Sequence, residues 1–437
     1  MKKFTKKMAA IVALVLAVAM VATACTSTPA DGDGTRAQGI TDDTIRIGLV
    51  FPQSGWAAFF GVPIVDAAVA EINRANARGG FGGKQVELIV HDCGADVVAG
   101  HLLFEQLVEE DRVFAIIGMS GGQAAMTLDY LLDFGIPVIN VTGGMGIFYR
   151  QYDPDYRVFN VQPSNTADAP LLLSLALASR VYGPNRDEYL ADDAMIGFMT
   201  GATDAGFEYA DYLMALAEEL GIADRVIVEF VTPEVYATVI QQFINANVGV
   251  VINASMDGMG IVAAMYDAGW YVPIFNAYGM STITSFSTVT YSPQRPIFAT
   301  IWAEDTSPAA LAWLEDMRDS LNYLDRLSDA ERDGYVDNGF ARAGNLMGQV
   351  LVIALNRMVE LELDWTWENF VVAMEHAPFS LGGTPTFSFE GGRRMGVESL
   401  ALWEFWVNED GEAEVGIIGD FKSVEEVLAP WRERTGN

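Results

Sequence analysis

Residues Ile45–Asp92 read IRIGLVFPQSGWAAFFGVPIVDAAVAEINRANARGGFGGKQVELIVHD, and the order of patterns within them sets the fold. IRIGLVF is a short β-branched run of the kind that forms a buried strand. GVPIVDAAVAEINRANARGG then places apolar residues at helical spacing and closes on Gly79 and Gly80, a helix stop. KQVELIVHD returns to a strand. Strand, helix and strand in this order predict a parallel pair with a crossover helix.

The alternation continues through the helix DVVAGHLLFEQLVEEDR, the strand VFAIIG, the helix GQAAMTLDYLLDFG and the strand IPVINV. It restarts at YRVFNVQ and runs, unit by unit, to VPIFNAY. Two consecutive series predict two similar α/β lobes built on parallel sheets, a repeat of architecture with no obvious repeat of sequence. After Gly279 the turn-rich STITSFSTVTYSPQRP precedes three helices. The tail, with PTFSFEGGRRMG and ALWEFWVNEDGEAEVGII, alternates and carries turns, as antiparallel hairpins do.

Ahead of these patterns stand MKKFTKK and an uncharged run, Met8 to Ala24, that ends on small residues before Cys25. These are the parts of a secretory signal, and the run falls short of the roughly 20 residues of a bilayer span. VATAC resembles a bacterial lipoprotein signal, although Ala22 stands where leucine is usual. That resemblance implies a signal peptide over 1–24, lipidation of Cys25 and a flexible tether over 25–39. The protein is then expected to be exported, and lipid-anchored to the outer face of the cell membrane or in the periplasm. The alternative is an uncleaved anchor. Cys93 is the only other thiol, so no internal disulfide is available after processing.

The formal charge is −32, from 26 Lys and Arg against 58 Asp and Glu. Loss of the four leader lysines takes it to −36. Nucleic acid and anionic lipid surfaces both need clustered Lys and Arg and are not expected partners.

The segments from about Ile45 to Ile418 resemble, in order, the periplasmic leucine/isoleucine/valine-type binding proteins of ABC importers. The resemblance rests on IRIGLVFPQSGWAAFFG, AAVAEINRANARGGFGGKQVELIVHDCGAD, VFAIIGMSGG, GIPVINVTGG, RVFNVQPSN, NGFARAGNLMGQVLVIALNRM and FSLGGTPTFSFEGGRRMG. It implies the type 1 periplasmic binding fold: two α/β lobes joined by three chain crossings, with a ligand held between them. Lobe one would be 40–160 with 298–378, and lobe two 161–297 with 379–437. It further implies a small-molecule ligand, an ABC permease as partner and no chemistry on the ligand; a sensing subunit of the same fold is the alternative.

GMSGG, Gly118–Gly122, lies between a strand and a helix. Backbone amides at a helix N-terminus, with the Ser120 hydroxyl, suit a carboxylate. In the resembled family this turn and the one at NVTGG hold the ligand carboxylate, which nominates Ser120, Gly121, Gly122, Thr142 and Gly143. GMSGG, Gly118–Gly122, also fits Gly-x-Ser-x-Gly, a hydrolase nucleophile elbow, with His376 as the one later histidine. No oxyanion-hole motif accompanies it.

The family's ammonium-binding places fall at Asn165, Ala205 and Tyr278, with Asp204 and Asp257 as nearby acids. These departures favour a ligand with a carboxylate and no α-ammonium, or a neutral amide, as much as an amino acid. Trp56, with Phe59 and Phe60, and Tyr149 are candidate wall residues. His91–Cys93 has no second Cys or His at ligand spacing, and GGFGG follows a helix where a dinucleotide site would follow a strand. No metal or cofactor is expected, and no phosphate-binding loop is present, so transport energy would come from a partner.

Overall fold

The computed structural model describes residues 36–119, 121–140, 144–149, 155–179, 190–255, 258–278, 296–301, 307–382, 384–397, 399–407, 413–417 and 421–436. Cys25 with the leader and most of the tether, Ser120, Thr142, Gly143 and Asp257 lie outside the described residues.

The first sheet is formed by β1 (Thr44–Phe51), β2 (Gln85–Asp92), β3 (Ala115–Ile117), β4 (Val138–Asn140) and β5 (Val158–Asn160), in the order β2-β1-β3-β4-β5, all parallel. Between them run α1 (Ala58–Ala77), α2 (Val97–Glu109) and α3 (Gly121–Phe134). Along β1, Ile45, Ile47, Leu49 and Phe51 enter the core shared with α1, while Val50 enters a second core with Phe104 and Leu107 of α2. That split follows from alternation of side chains across a strand with helices on both faces.

Lobe two opens with α4 (Asn165–Leu177) and continues through β6 (Met195–Thr200), α5 (Asp204–Glu219), β7 (Val226–Phe230), α6 (Tyr236–Asn245), β8 (Val248–Asn253), α7 (Gly258–Asp267), β9 (Ile274–Asn276) and β10 (Ile297–Thr300). The chain returns to lobe one for α8 (Pro308–Leu321), α9 (Asp329–Val336), α10 (Gly339–Glu360) and α11 (Trp367–Glu375). Lobe two is completed by the antiparallel pair β11 (Ala401–Val407) and β12 (Ala413–Ile417) and by α12 (Val424–Thr435). Its sheet order is β12-β11-β10-β9-β8-β6-β7. The returning helices are fixed around a buried arginine: Arg74 of α1 binds the buried Glu71 at 2.6 Å and the partly exposed Asp316 of α8 at 2.5 Å. Gln349 of α10 reaches both Asp316 and the Trp313 indole.

Two expected boundaries move. β10 pairs with β9 and β11, so the second crossing follows Thr300, whereas the sequence reading put it at 298. The third was placed at 379, yet Phe387 pairs with Phe379, Phe389 packs on Phe159 of β5, and Gly396 donates to the Asn160 carbonyl. Residues 379–396 therefore belong with lobe one, and the chain crosses between 397 and 400. The first crossing is 161–164.

The lobes also share a repeat that the sequence reading missed. Strands β4, β5, β8 and β9 end VIN, VFN, VIN and IFN, and their asparagines pair side chain to side chain. Asn140 donates to Asn160 at 2.8 Å and Asn253 to Asn276 at 2.9 Å, all four fully buried. Each pair ties together the carboxyl ends of two neighbouring parallel strands, where ligand sites of such sheets form.

Candidate functional site: the cleft between the lobes

At the end of β2 the Asp92 carboxylate accepts amide hydrogens from Gln53 (2.8 Å) and Ser54 (3.2 Å), in the loop after β1, and from Gly94 (2.9 Å). Burial alone would raise its pKa; these donors outweigh burial and lower it. The loop so fixed presents Trp56, 76% exposed, and Phe59, 58% exposed. Both rings meet Phe60 edge-on, and Phe59 and Phe60 also contact Phe340 at the start of α10. These aromatics form an open apolar wall rather than a closed core.

After β3, Gly118 has φ +76°, a conformation that favours glycine, and a Cβ there would come within 2.9 Å of the Met347 sulfur and displace that side chain. Gly121 and Gly122 open α3 with their backbone at its N-terminus; Gly121 is half-buried and Gly122 exposed. Beyond β4, Gly144 to Tyr149 approach lobe two. The Asn165 amide donates to the Gly144 carbonyl at 2.7 Å. The Tyr149 hydroxyl donates to the carbonyl of Gln162, in the first crossing, at 3.1 Å.

From lobe two, Glu208 of α5 crosses the gap and accepts the Gly146 amide hydrogen. Burial raises the Glu208 pKa, the Gly146 amide lowers it and Asp211 raises it further. Burial also raises the Tyr149 phenol, and both Tyr278 and Glu208 lie close enough to add to that shift. Tyr149, Asn165 and Tyr278, nominated separately from sequence, thus gather around one interlobe space. Asp204 does not join them: it is the exposed first residue of α5, behind the Thr203 cap.

Two acids that sequence reasoning passed over lie beside this space: Glu208 meets lobe one through the Gly146 amide, and Asp168 sits within lobe two against Tyr209 and Tyr278. Asp168 lies one turn beyond Asn165 on α4, and Glu208 one turn beyond Asp204 on α5. Residues three and four apart share a helix face, which is the signal that could have found them. Asp168 is 4% exposed; its Oδ2 accepts from the Tyr209 hydroxyl and from the Tyr278 amide at 2.8 Å. Burial pushes its carboxyl up to about 6, against the pull of those two donors. His91, considered as a ligand, is instead paired with Asp111 at 2.9 Å, and Cys93 is buried with its thiol pKa raised by burial.

A model of the periplasmic binding protein family matches residues 44–402. Among curated proteins, a Leu/Ile/Val-binding protein homolog 2 of Brucella abortus is 35% identical over 98 residues, 22% of this chain and 26% of that protein. That local match thus spans about a quarter of the relative's length. Solved structures with the same fold include a fatty acid ABC transporter substrate-binding protein from Thermomonospora curvata, with TM-score 0.70 and 16% identity over 90% of this chain and 96% of that one. A branched chain amino acid ABC transporter protein from Thermus thermophilus with bound valine gives TM-score 0.70 at 15% identity, covering 91% and 100%. A solute binding protein from Rhodopseudomonas palustris BisB5 in complex with 3,4-dihydroxy benzoic acid gives 0.67 at 15% identity, covering 88% and 98%. With a two-lobed α/β architecture and a family match over most of its length, the chain belongs to the periplasmic binding protein family.

Proposed function

We propose that this protein is an exported, lipid-tethered solute receptor that captures a small molecule between its lobes and delivers it to an ABC importer. The observation that carries the reading is the meeting of Tyr149 and Gly146 from lobe one with Glu208 and Tyr278 from lobe two, at the carboxyl ends of both sheets. Open lobes exchange ligand and closed lobes hide it from water. Ligand shifts that balance only through contacts it makes preferentially in the closed state. The turns at Ser120–Gly122 and Thr142–Gly143 take the acidic end of the ligand. Asn165 and Tyr278 contribute as the lobes close, and Trp56 lines the mouth. No covalent step on the ligand is required, and transport energy comes from the importer.

Thermal-shift screening against amino acids, short carboxylates, aromatic acids and amides identifies the ligand, because a tight binder raises the melting temperature by mass action. With a carboxylate hit in hand, Ser120→Ala combined with Thr142→Ala is expected to weaken binding about 100-fold, from two charge-assisted hydrogen bonds. The unliganded melting temperature should barely move. Unchanged affinity in the double variant would defeat this site assignment. The anchor is tested separately: Cys25→Ser should shift the protein from the membrane fraction to the soluble one, and continued membrane association would count against lipidation there.

A further inference from the structure

Two glycines of the NVTGGMG loop after β4 are kept bare by the opposite lobe. A Cβ on Gly144 would lie 2.6 Å from Asn165 Oδ1 of α4. One on Gly146 would lie 2.5 Å from the Tyr212 hydroxyl oxygen and 3.0 Å from Glu208 Oε1, both on α5, with Thr166 Cγ2 of α4 closing a third side at 3.3 Å. Gly146 opens a single helical turn, Gly146–Phe148, and its φ lies outside the left-handed region, so its own backbone would accept alanine. What demands glycine there is lobe two. Both sides of the contact are firmly mounted. Phe148 is fully buried in the lobe-one core with Phe104 and Val158, and its carbonyl accepts from Asn160 Nδ2 at 2.5 Å. α5 is held in lobe two by the buried Tyr209 and Leu213. Between them the Glu208 carboxylate accepts the Gly146 amide hydrogen, one of the donors that the start of a helical turn leaves without an internal partner.

We propose that the Gly146 turn and the Glu208–Tyr212 face of α5 form a closing seat, which holds the lobes shut at a fixed depth through contacts between the chain's own atoms. The proposal rests on the cleft reading above and concerns how that cleft shuts. Glu208, Tyr212 and Gly146 are positioning residues in it: they act on the lobes and not on the guest. The hydrogen bond supplies the attraction, and the missing side chain supplies the clearance. Parting the lobes separates Gly146 from α5 and gives up both. A seat of this kind favours closure whatever the guest, so it raises the affinity for every guest by the same factor, set by the closed fraction of the empty protein. Crowding the seat with one methyl group lowers that fraction, because the new carbon meets the Tyr212 hydroxyl before the lobes have finished closing.

The test reads closure with no guest present. Spin labels at Asp129→Cys on α3 and Glu234→Cys after β7, both exposed positions, report the interlobe distance in the purified exported protein, and Cys93 is buried away from the label. Gly146→Ala is expected to shift the distances toward the open form, lowering the closed-to-open ratio at least about fivefold. Tyr212→Phe alone should match the parent. Combined with Gly146→Ala it should restore most of the closed fraction, because the hydroxyl is the nearest obstacle to the new methyl. Such rescue across the lobes separates a seat from a fold defect, which Tyr212→Phe would not repair. Glu208→Ala removes the acceptor and should open the protein as well, whereas Glu208→Gln keeps an accepting oxygen and should stay closed. Should Gly146→Ala fail to fold, the two Glu208 variants read the same seat from lobe two. Parental distances in Gly146→Ala, an opening that Tyr212→Phe leaves in place, or Glu208→Gln opening as far as Glu208→Ala would each overturn the seat. None of these results decides capture itself, which the thermal-shift screen judges separately.

Discussion

Gly344→Leu is expected to leave the chain unable to fold, and Gly344→Ala to lower its stability measurably. Gly344 sits in the second turn of α10 where that helix crosses α1, and any Cβ there would overlap the Ile64 carbonyl oxygen. One turn later a Cβ at Gly348 would lie 2.9 Å from the Glu71 Cβ. Intrinsic propensity argues the opposite sign, since alanine is worth about 1 kcal/mol over glycine inside a helix. Overpacking wins because the obstacle is main chain, which has no rotamer to change; forcing even one methyl into such a contact costs about 1–3 kcal/mol. Leucine adds three more carbons to that overlap. The loss would then approach the whole margin of about 5–15 kcal/mol on which a domain survives. Urea unfolding of Gly344→Ala decides the matter: a midpoint equal to or above the parent's would mean that α1 and α10 do not meet at this position.

The second large effect is expected at Arg394. Its guanidinium is fully buried and lies 4.6 Å from the centre of the Phe159 ring. It donates to the carbonyls of Tyr156 and Arg393 and is paired with Glu375 at 2.7 Å. Arg394→Met keeps much of the volume but leaves the partly exposed Glu375 and the Tyr156 carbonyl facing a thioether, a loss of about 1–3 kcal/mol for the carbonyl stripped of its donor, to which the lost ion pair and ring contact add. Arg394→Lys should rescue little, because an ammonium cannot stack on the ring and span the three acceptors with one planar fork. Denaturant titration of both variants checks this, and a methionine variant within experimental error of the parent would refute it.

Much of the architecture was legible because buried parallel strands are written as short β-branched runs and their helices as apolar stripes. β1, α1 and β2 fall where Ile45–Asp92 predicts them, and the β11–β12 hairpin where ALWEFWV and its turn do. What escaped is long-range. β10 is four residues behind a turn-rich segment, so nothing local says which sheet receives it. The Phe379–Phe387 pairing looks like any hairpin until Phe389 is seen against Phe159. The asparagine pairs are single residues at the ends of three-residue strands, too brief to register as a repeat.

The cleft was half visible. Tyr149, Asn165 and Tyr278 converge because each follows a strand end or opens a helix at the carboxyl side of a sheet. Asp168 and Glu208 escaped for a chemical reason. An acid in the first turn of a helix, such as Asp168 in NTADAP, already has an ordinary explanation in the helix dipole. Glu208 in GFEYADYL sits among polar positions that read as a solvated face. Glu208, half-buried, meets the Gly146 turn of the opposing lobe, whereas Asp168 is buried against Tyr209 and Tyr278 of its own lobe.

The hydrogen bonds between Asn160 and the Arg394–Gly396 stretch have a mechanical consequence. They lash the first and third interlobe strands side by side, close to where both leave lobe one. Two cords bound together form a strap, which bends readily across its width and resists torsion. The jaws should therefore swing about a single axis, meeting the guest in one repeatable orientation each time they shut. Little of the binding energy then goes into aligning them.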